Sequence, residues 1–276
     1  MKRRMTVVGG AIIIAATIIL NLSGRSYTYY MPLAPQTGHA TAGIAWAPGW
    51  TVDLVRDDFG LYRYSHSASH APTWLARGGI PYIRPGNEAA AVSGIKAAGY
   101  CGWVIFLNEP DRPDQDDLTP AEAAAMYARV RPQLACNRFA IGNSIDPAWL
   151  EAFLELARPW PGDVVGIHIY QNADPGDAEF VWPSAWIDAA VRLAQRNGMP
   201  ASVAVTEFGM PNRWSDAERA EYLAQVRGHP RVVLWLLYTS HCGGYNAHAC
   251  QFNLYDEVAQ PRPPLTANGR LLSGYP

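Results

Sequence analysis

Eight short apolar runs follow one another beyond residue 40, at residues 43–47, 61–65, 80–84, 102–107, 138–142, 164–170, 202–206 and 232–238. Several are continuous and rich in β-branched residues instead of alternating, which is how strands buried on both faces of a parallel sheet read. The segments between them carry helix punctuation. Thr119 and Glu122 form a capping box with Pro120 at the first helical position, and Ser215 with Glu218 forms a second. Asp146 ahead of Pro147 opens another helix, while Gly99, Gly198 and Gly228 stand where helices should stop. From the fourth run onward, strand starts recur roughly every 30 to 35 residues, the length of one strand–helix unit. The earlier units are shorter, so their helices should be abbreviated. Eight such units predict an α/β fold, a compact (β/α)8 TIM barrel over residues 41–276. A doubly wound open sheet is the alternative, but no Gly-x-Gly-x-x-Gly follows the first run.

The start of the chain follows a different pattern. Lys2, Arg3 and Arg4 precede a stretch without charge, residues 5–24, whose centre is strongly apolar. A basic end followed by such a run is an export signal, and its length also suits a bilayer-spanning helix. The nearest small-x-small cleavage site, Ala40 and Ala42, lies far downstream. Residues 1–25 are therefore expected to be a signal or membrane-anchor helix, residues 26–40 a tether, and residues 41–276 the barrel domain. The protein is expected outside the cytoplasm, membrane-anchored through residues 5–24 or secreted. Four cysteines suit that oxidising compartment, and neighbourhood pairs Cys101 with Cys136 and Cys242 with Cys250. A zinc site from His241, Cys242, His248 and Cys250 is the rival, at a spacing that matches no familiar ligand pattern.

With 49% hydrophobic and 17% charged residues, the body can bury a sizeable core. Lys and Arg number 22 against 24 Asp and Glu, a near-balance that argues against a nucleic-acid partner. Ten Trp, 14 Tyr and 7 Phe exceed what a core needs, so some rings should line a surface. A barrel of this kind takes its active-site groups from the C-terminal ends of its strands. The fourth run ends Phe106-Leu107-Asn108-Glu109-Pro110-Asp111 and the seventh Val205-Thr206-Glu207-Phe208-Gly209. One strand-end acid is commonly a helix cap. Two of them, in an exported Trp-rich domain, match the paired carboxyls of glycoside hydrolysis. No Gly-x-Ser-x-Gly elbow suggests acyl transfer, and no metal or organic cofactor is implied.

Asn108-Glu109-Pro110 and Thr206-Glu207-Phe208 resemble the signature of clan A retaining glycoside hydrolases. Together with Ile167-His168-Ile169-Tyr170 they are similar to glycoside hydrolase family 128, compact endo-β-1,3-glucanases. The resemblance implies Glu109 as acid/base and Glu207 as nucleophile, with carboxyls about 5–5.5 Å apart. It further implies that Asn108 bonds the sugar 2-hydroxyl, that Tyr170 orients Glu207 and that Trp235 is a sugar platform. His168 points to the same side as Tyr170 by strand alternation. Trp46, Arg84 and Asn143, at other strand ends, are further substrate-binding candidates, and Trp50, Trp182, Trp186 and Trp214 are weaker ones. Asp111 is expected to cap a helix or brace the loop. The charge on Glu207 is expected to raise the pKa of Glu109. A monomeric retaining endo-glycosidase of β-1,3-glucan is the resulting expectation. The alternatives are β-1,4-mannan or β-1,4-glucan as substrate, or a non-catalytic saccharide-binding barrel, against which the presence of both acids speaks.

Overall fold

The computed structural model describes residues 15–22, 25–32, 40–45, 63–66, 71–171, 173–238, 252 and 265–273. The chain divides into two units, residues 1–39 and residues 40–276. In the first, β1 (Ala15–Leu22) pairs antiparallel with β2 (Arg25–Pro32). The expected apolar helix over residues 5–24 is therefore not what the described part of this segment forms. Thr17, Ile18 and Ile19 are β-branched, lose side-chain freedom in a helix, and suit a strand paired with the Tyr-rich β2. Among the described residues no helix is long and apolar enough to cross a membrane.

The second unit is a closed barrel of eight strands. In chain order they are β3 (Thr41–Ile44), β4 (Arg63–His66), β5 (Gly79–Ile83), β6 (Trp103–Phe106), β7 (Arg138–Ser144), β8 (Val164–Ile169), β9 (Val203–Phe208) and β10 (Val232–Leu237). Each strand runs parallel to the next, and β10 closes the ring on β3 with Leu234 opposite Thr41 and Leu237 opposite Ile44. Each of the eight apolar runs overlaps one of these strands, and closure removes the open-sheet alternative. The helices are α1 (Pro72–Ala76), α2 (Glu88–Ala97), α3 (Pro120–Val130), α4 (Pro147–Ala157), α5 (Pro183–Arg196), α6 (Asp216–Gly228) and α7 (Ala267–Ser273). α1 is indeed abbreviated. Both capping boxes form, Thr119 with Glu122 and Ser215 with Glu218, and Asp146 caps α4 through the amide of Ala148.

Strand alternation sorts the core into two layers. Ile80, Tyr82, Ile105, Ala140, Val164, Ala204, Leu234 and Leu236 fill the barrel interior. Their neighbours, among them Val104, Phe106, Phe139, Ile141 and Trp235, pack outward with helix residues such as Tyr127 and Phe153.

Two devices close the barrel's N-terminal pole, opposite the strand ends that carry the acids. Cys101 and Cys136 form a disulfide across 35 residues, joining the entrances of β6 and β7. A crosslink of that span stabilises by roughly 3–4 kcal/mol in the chain-entropy account. Cys242, Cys250, His241 and His248 lie outside the described residues. Beside the disulfide, Arg131 is buried against the fully buried Asp163, with Nε 2.8 Å from Oδ2 and Nη2 3.0 Å from Oδ1. Tyr127 Oη donates to Oδ2 at 2.5 Å and the amide of Phe139 to Oδ1 at 3.3 Å. The guanidinium lies between the rings of Phe139 and Trp160, 4.7 and 4.6 Å from their centroids. Such a pair adds little as a pair, but either half alone is a buried uncompensated charge. Asp163→Ala should therefore destabilise the domain by roughly 3–5 kcal/mol. Urea unfolding checks this, and a midpoint equal to wild type would show that Arg131 finds water or another partner.

Candidate active site

The backbone at the end of β6 does not follow the strand. Leu107 and Glu109 take left-handed φ values of 72° and 44°, conformations that cost a non-glycine residue free energy. Asn143, itself at φ 50°, holds them there. Its Nδ2 donates to the carbonyls of Phe106, Leu107 and Ala140 at 2.8, 3.1 and 3.2 Å, and its carbonyl accepts from the amide of Glu109 at 3.0 Å. Its Oδ1 accepts from Thr206 Oγ1 at 2.6 Å, so one buried amide ties β6, β7 and β9 together. Gly166 on β8 makes room: a Cβ there would stand 2.0 Å from Asn143 Oδ1.

That twist turns the buried Glu109 inward. Its Oε1 lies 3.0 Å from His168 Nδ1 and its Oε2 accepts from Arg112 Nη1 at 3.0 Å. Glu207, from the end of β9, accepts from Tyr82 Oη at Oε1, 3.2 Å, and from Tyr170 Oη at Oε2, 2.8 Å. His168 Nδ1 also approaches Glu207 Oε2 to 3.7 Å. One oxygen of each carboxyl and one nitrogen of His168 lie within 4.8 Å of one another. That spacing would admit a cation. The tyrosine and arginine hydrogens already aimed at both carboxylates suit acids that exchange protons, which is how we read the cluster.

The electrostatics run against one expectation. Burial pushes the Glu109 carboxyl up, but the hydrogen bond and charge of His168, then the charge of Arg112, outweigh it and hold the pKa below the ordinary value. Burial alone would discharge His168; the charge of Glu207 and the bond to Glu109 instead raise its pKa. Both shifts favour the charged forms, because the groups nearest to Glu109 are His168 and Arg112, not Glu207. Burial, and then Glu207, push Tyr82 and Tyr170 well above the phenolic range, so both stay neutral donors.

Of the residues singled out by sequence, Glu109, Glu207, His168 and Tyr170 meet in this cluster. Asn108 stands at its edge, its amide 2.7 Å from Asp116 Oδ2 and its Nδ2 3.0 Å from Gln115 Oε1. Arg84 Nε donates to Asp116 Oδ1 at 2.6 Å, and Asp111 braces the loop through the amide of Asp146 at 3.0 Å. Two expectations need correction. Asn143 is fully buried with its amide spent on the backbone, so it supports the site from below and does not face a sugar. Trp235 turns outward: it is 5% exposed, packs edge-on to Phe208, and has Arg227 of α6 5.9 Å from its ring. Inward positions on β10 are Leu234 and Leu236, and the alternation continues to Tyr238, which meets Tyr170 edge-to-face at 5.9 Å. Burial, with Glu207 and Glu109 nearby, raises the Tyr238 phenol to about 12. Trp214 is buried and Trp182 and Trp186 pack on the outer core; Trp46 and Trp50 lie outside the described residues.

Sequence reading missed Tyr82, Arg112, Asp116 and Tyr238. Tyr82 and Tyr238 carried a usable signal, since each shares the inward parity of its strand. Arg112 and Asp116 sit in a loop with no period to read.

The opposed shifts of Glu109 and His168 fix a pH signature. The raised imidazole contributes stability that is complete below its ordinary value near 6.5 and is lost as pH climbs through the raised one. The lowered carboxyl contributes above its ordinary value near 4.5 and loses that as pH falls through the lowered one. The stability gap between wild type and His168→Gln should therefore be widest in mildly acidic solution and shrink on both sides. Thermal melts across pH measure it, and a gap independent of pH would show that the pair is not ionic.

Residues 85–261 match the family model for a glycosyl hydrolase catalytic core. No curated protein matches the chain by sequence. Among solved structures, a family 128 subgroup III curdlan-specific exo-β-1,3-glucanase from Blastomyces gilchristii superposes with a TM-score of 0.63 at 20% identity, covering 85% of this chain and 98% of that one. A subgroup II endo-β-1,3-glucanase from Pseudomonas viridiflava gives 0.61 at 20%, over 86% and 98%. A subgroup I endo-β-1,3-glucanase from Amycolatopsis mediterranei, in complex with laminaritriose, gives 0.59 at 18%, over 85% and 98%. At such identities the likeness speaks for the shared barrel. The family match spans well over half of the sequence, from the end of β5 past β10 and across both acids, and on that ground the chain belongs to the glycosyl hydrolase catalytic core family and is a glycoside hydrolase.

Proposed function

We propose that the protein hydrolyses β-1,3-glucan internally and with retention of anomeric configuration, Glu207 attacking and Glu109 serving as acid and then base. The observation that carries this reading is the approach of the two carboxyls to within 4.8 Å at their nearest oxygens. Retaining enzymes hold their pair about 5–5.5 Å apart, whereas inverting ones leave room for a water between. In the first step a Glu207 oxygen bonds to the anomeric carbon, the glycosidic C–O bond breaks, and the departing oxygen takes a proton from Glu109. In the second, Glu109 removes a proton from water, the hydroxide oxygen bonds to the anomeric carbon, and Glu207 leaves as carboxylate. The hydroxyls of Tyr82 and Tyr170 hold Glu207 in line and keep its charge from spreading to solvent. Filling the cleft with sugar removes water from Glu109 and favours its protonated form.

The β-1,3 linkage is supported by the exo- and endo-β-1,3-glucanases that share the barrel. Internal cleavage is supported by the endo-acting enzymes among those neighbours.

The two acids should fail differently when replaced. Glu207→Gln should lose both steps. Glu109→Ala should still be glycosylated by an aryl β-laminaribioside with a good leaving group, then stall, and azide should rescue it as a β-glycosyl azide. An α-azide, or rescue of the Glu207 variant instead, would reverse the assignment. Laminarin products resolved by size test the linkage and the internal cut together, since mannan or cellulose cleavage would redirect the substrate.

We also propose that the domain works outside the cytoplasm. The basic residues 2–4 before an uncharged stretch support this, as does the Cys101–Cys136 disulfide, which persists only where thiols oxidise. Native protein should resist salt extraction from membranes if residues 5–24 anchor it. A soluble form whose N-terminus falls between residues 25 and 42 would mean a cleaved signal.

A further inference from the structure

Glu109 has two oxygens, and both are occupied. Oε1 faces His168, whose side chain is fully buried and cannot withdraw. Oε2 faces Arg112, whose side chain is 40% exposed. A carboxyl that must hand a proton to a glycosidic oxygen needs one oxygen free, and the buried side cannot be the one. Only the Arg112 side can open.

The loop is built to let it open. The amide of Arg112 donates to the carbonyl of Glu109 at 3.0 Å, a turn between Pro110 and Pro113 that holds the backbone while the side chain reaches back. The far edge of the guanidinium rests on Asp114, Nε to Oδ1 at 2.9 Å and Nη2 to Oδ2 at 2.6 Å. Asp114 is itself 63% exposed. The Asp114 pair is exposed on both sides and can turn with the side chain, so Arg112 can swing off Glu109 without losing every partner.

We propose that Arg112 is a positioning residue, a latch that covers Glu109 Oε2 in the empty site and is displaced by the sugar, so that the acid can take up a proton only once the cleft is filled. This rests on the reading of Glu109 as acid/base. With Arg112 and His168 both in place, each oxygen of Glu109 is an acceptor and the group has no proton to give. When Arg112 leaves, one donor and one positive charge go with it, and Oε2 takes a proton from water for the departing oxygen. The other ionisable groups facing Glu109 stay where they are: His168 and Tyr170 at the end of β8, Glu207 on β9, Tyr82 on β5, and Tyr238 beyond β10. Asp111 and Asp114 share its loop. The lowered pKa of Glu109, in which Arg112 takes part after burial and His168, agrees with the geometry.

Two measurements on Arg112→Gln decide the matter; the side chain is 40% exposed, and a melt checks that the variant folds. The first needs no substrate: the titration of Glu109 followed by carbon-13 NMR of labelled glutamate carboxyls, assigned with Glu109→Gln. The midpoint should move to higher pH by about one unit, since an opposite charge at this distance lowers a carboxyl by that order. An unmoved midpoint overturns the latch. The second is the pH dependence of laminarin hydrolysis. The alkaline limb of kcat/KM reports the free enzyme and should move up by about one unit, leaving the variant roughly tenfold faster than wild type well above the wild-type limb. The limb of kcat reports the complex, where Arg112 has already left, and should not move. Equal movement of both limbs would mean that Arg112 stays on Glu109 throughout, and a raised KM with neither limb moved would make it a sugar contact; both overturn the proposal. Arg112→Lys keeps the charge and should retain the wild-type profile. If wild type itself leaves laminarin intact, the substrate reading fails while the NMR titration still decides the latch.

Discussion

Two carboxylates within 4.8 Å of each other in a partly dry site repel, and most of the site's structure answers that repulsion. At an effective dielectric constant near 20 the cost is on the order of 3 kcal/mol, enough to scatter the pair or protonate one member if nothing opposed it. What opposes it is a ring of donors. Tyr82 and Tyr170 supply one hydrogen to each oxygen of Glu207, and His168 and Arg112 do the same for Glu109. His168 lies between the two acids and carries the charge that both attract. The consequence is an inversion of the simple picture, in which one acid raises the pKa of the other. Here the imidazole between the acids offsets the repulsion, and Glu109 is shifted toward its carboxylate form.

Holding those donors in register requires backbone that a strand would not adopt. The left-handed residues at Leu107, Glu109 and Asn143 would relax if left alone. The Asn143 amide prevents it by bonding three carbonyls and the Thr206 hydroxyl, and it fits only because Gly166 presents no Cβ. A polar group this deep is tolerated because every hydrogen it offers has an acceptor. Asp116 extends the same logic outward, fixing the amide of Asn108 and the guanidinium of Arg84 with its two oxygens.

Stability and chemistry occupy opposite poles of the barrel. The disulfide and the Arg131–Asp163 clamp tie the strand entrances, far from the acids. The strained turns and the opposed charges are concentrated at the strand exits. Rigid packing between the poles, one layer inside the barrel and one between strands and helices, lets the entrances hold the exits still.

The sequence by itself determined whatever depends on neighbours along the chain. Apolar runs become strands, Thr119 and Ser215 with their glutamates start helices, and acids at two run ends come to one rim, because period, caps and strand ends are local signals. The Cys101–Cys136 pairing was legible for the same reason, since both residues precede adjacent strands. Tertiary structure decided which way a ring faces and what a charge meets. Trp235 looks like a platform until barrel closure gives the inward parity to Leu234, Leu236 and Tyr238. Asn143 looks like a ligand contact until the distorted exit of β6 claims its amide. Glu109 and His168 set each other's charge from different strands, 59 residues apart, and Tyr82 reaches Glu207 across 125. Electrostatic energy depends on distance through space and on burial, neither of which is written in spacing along the chain.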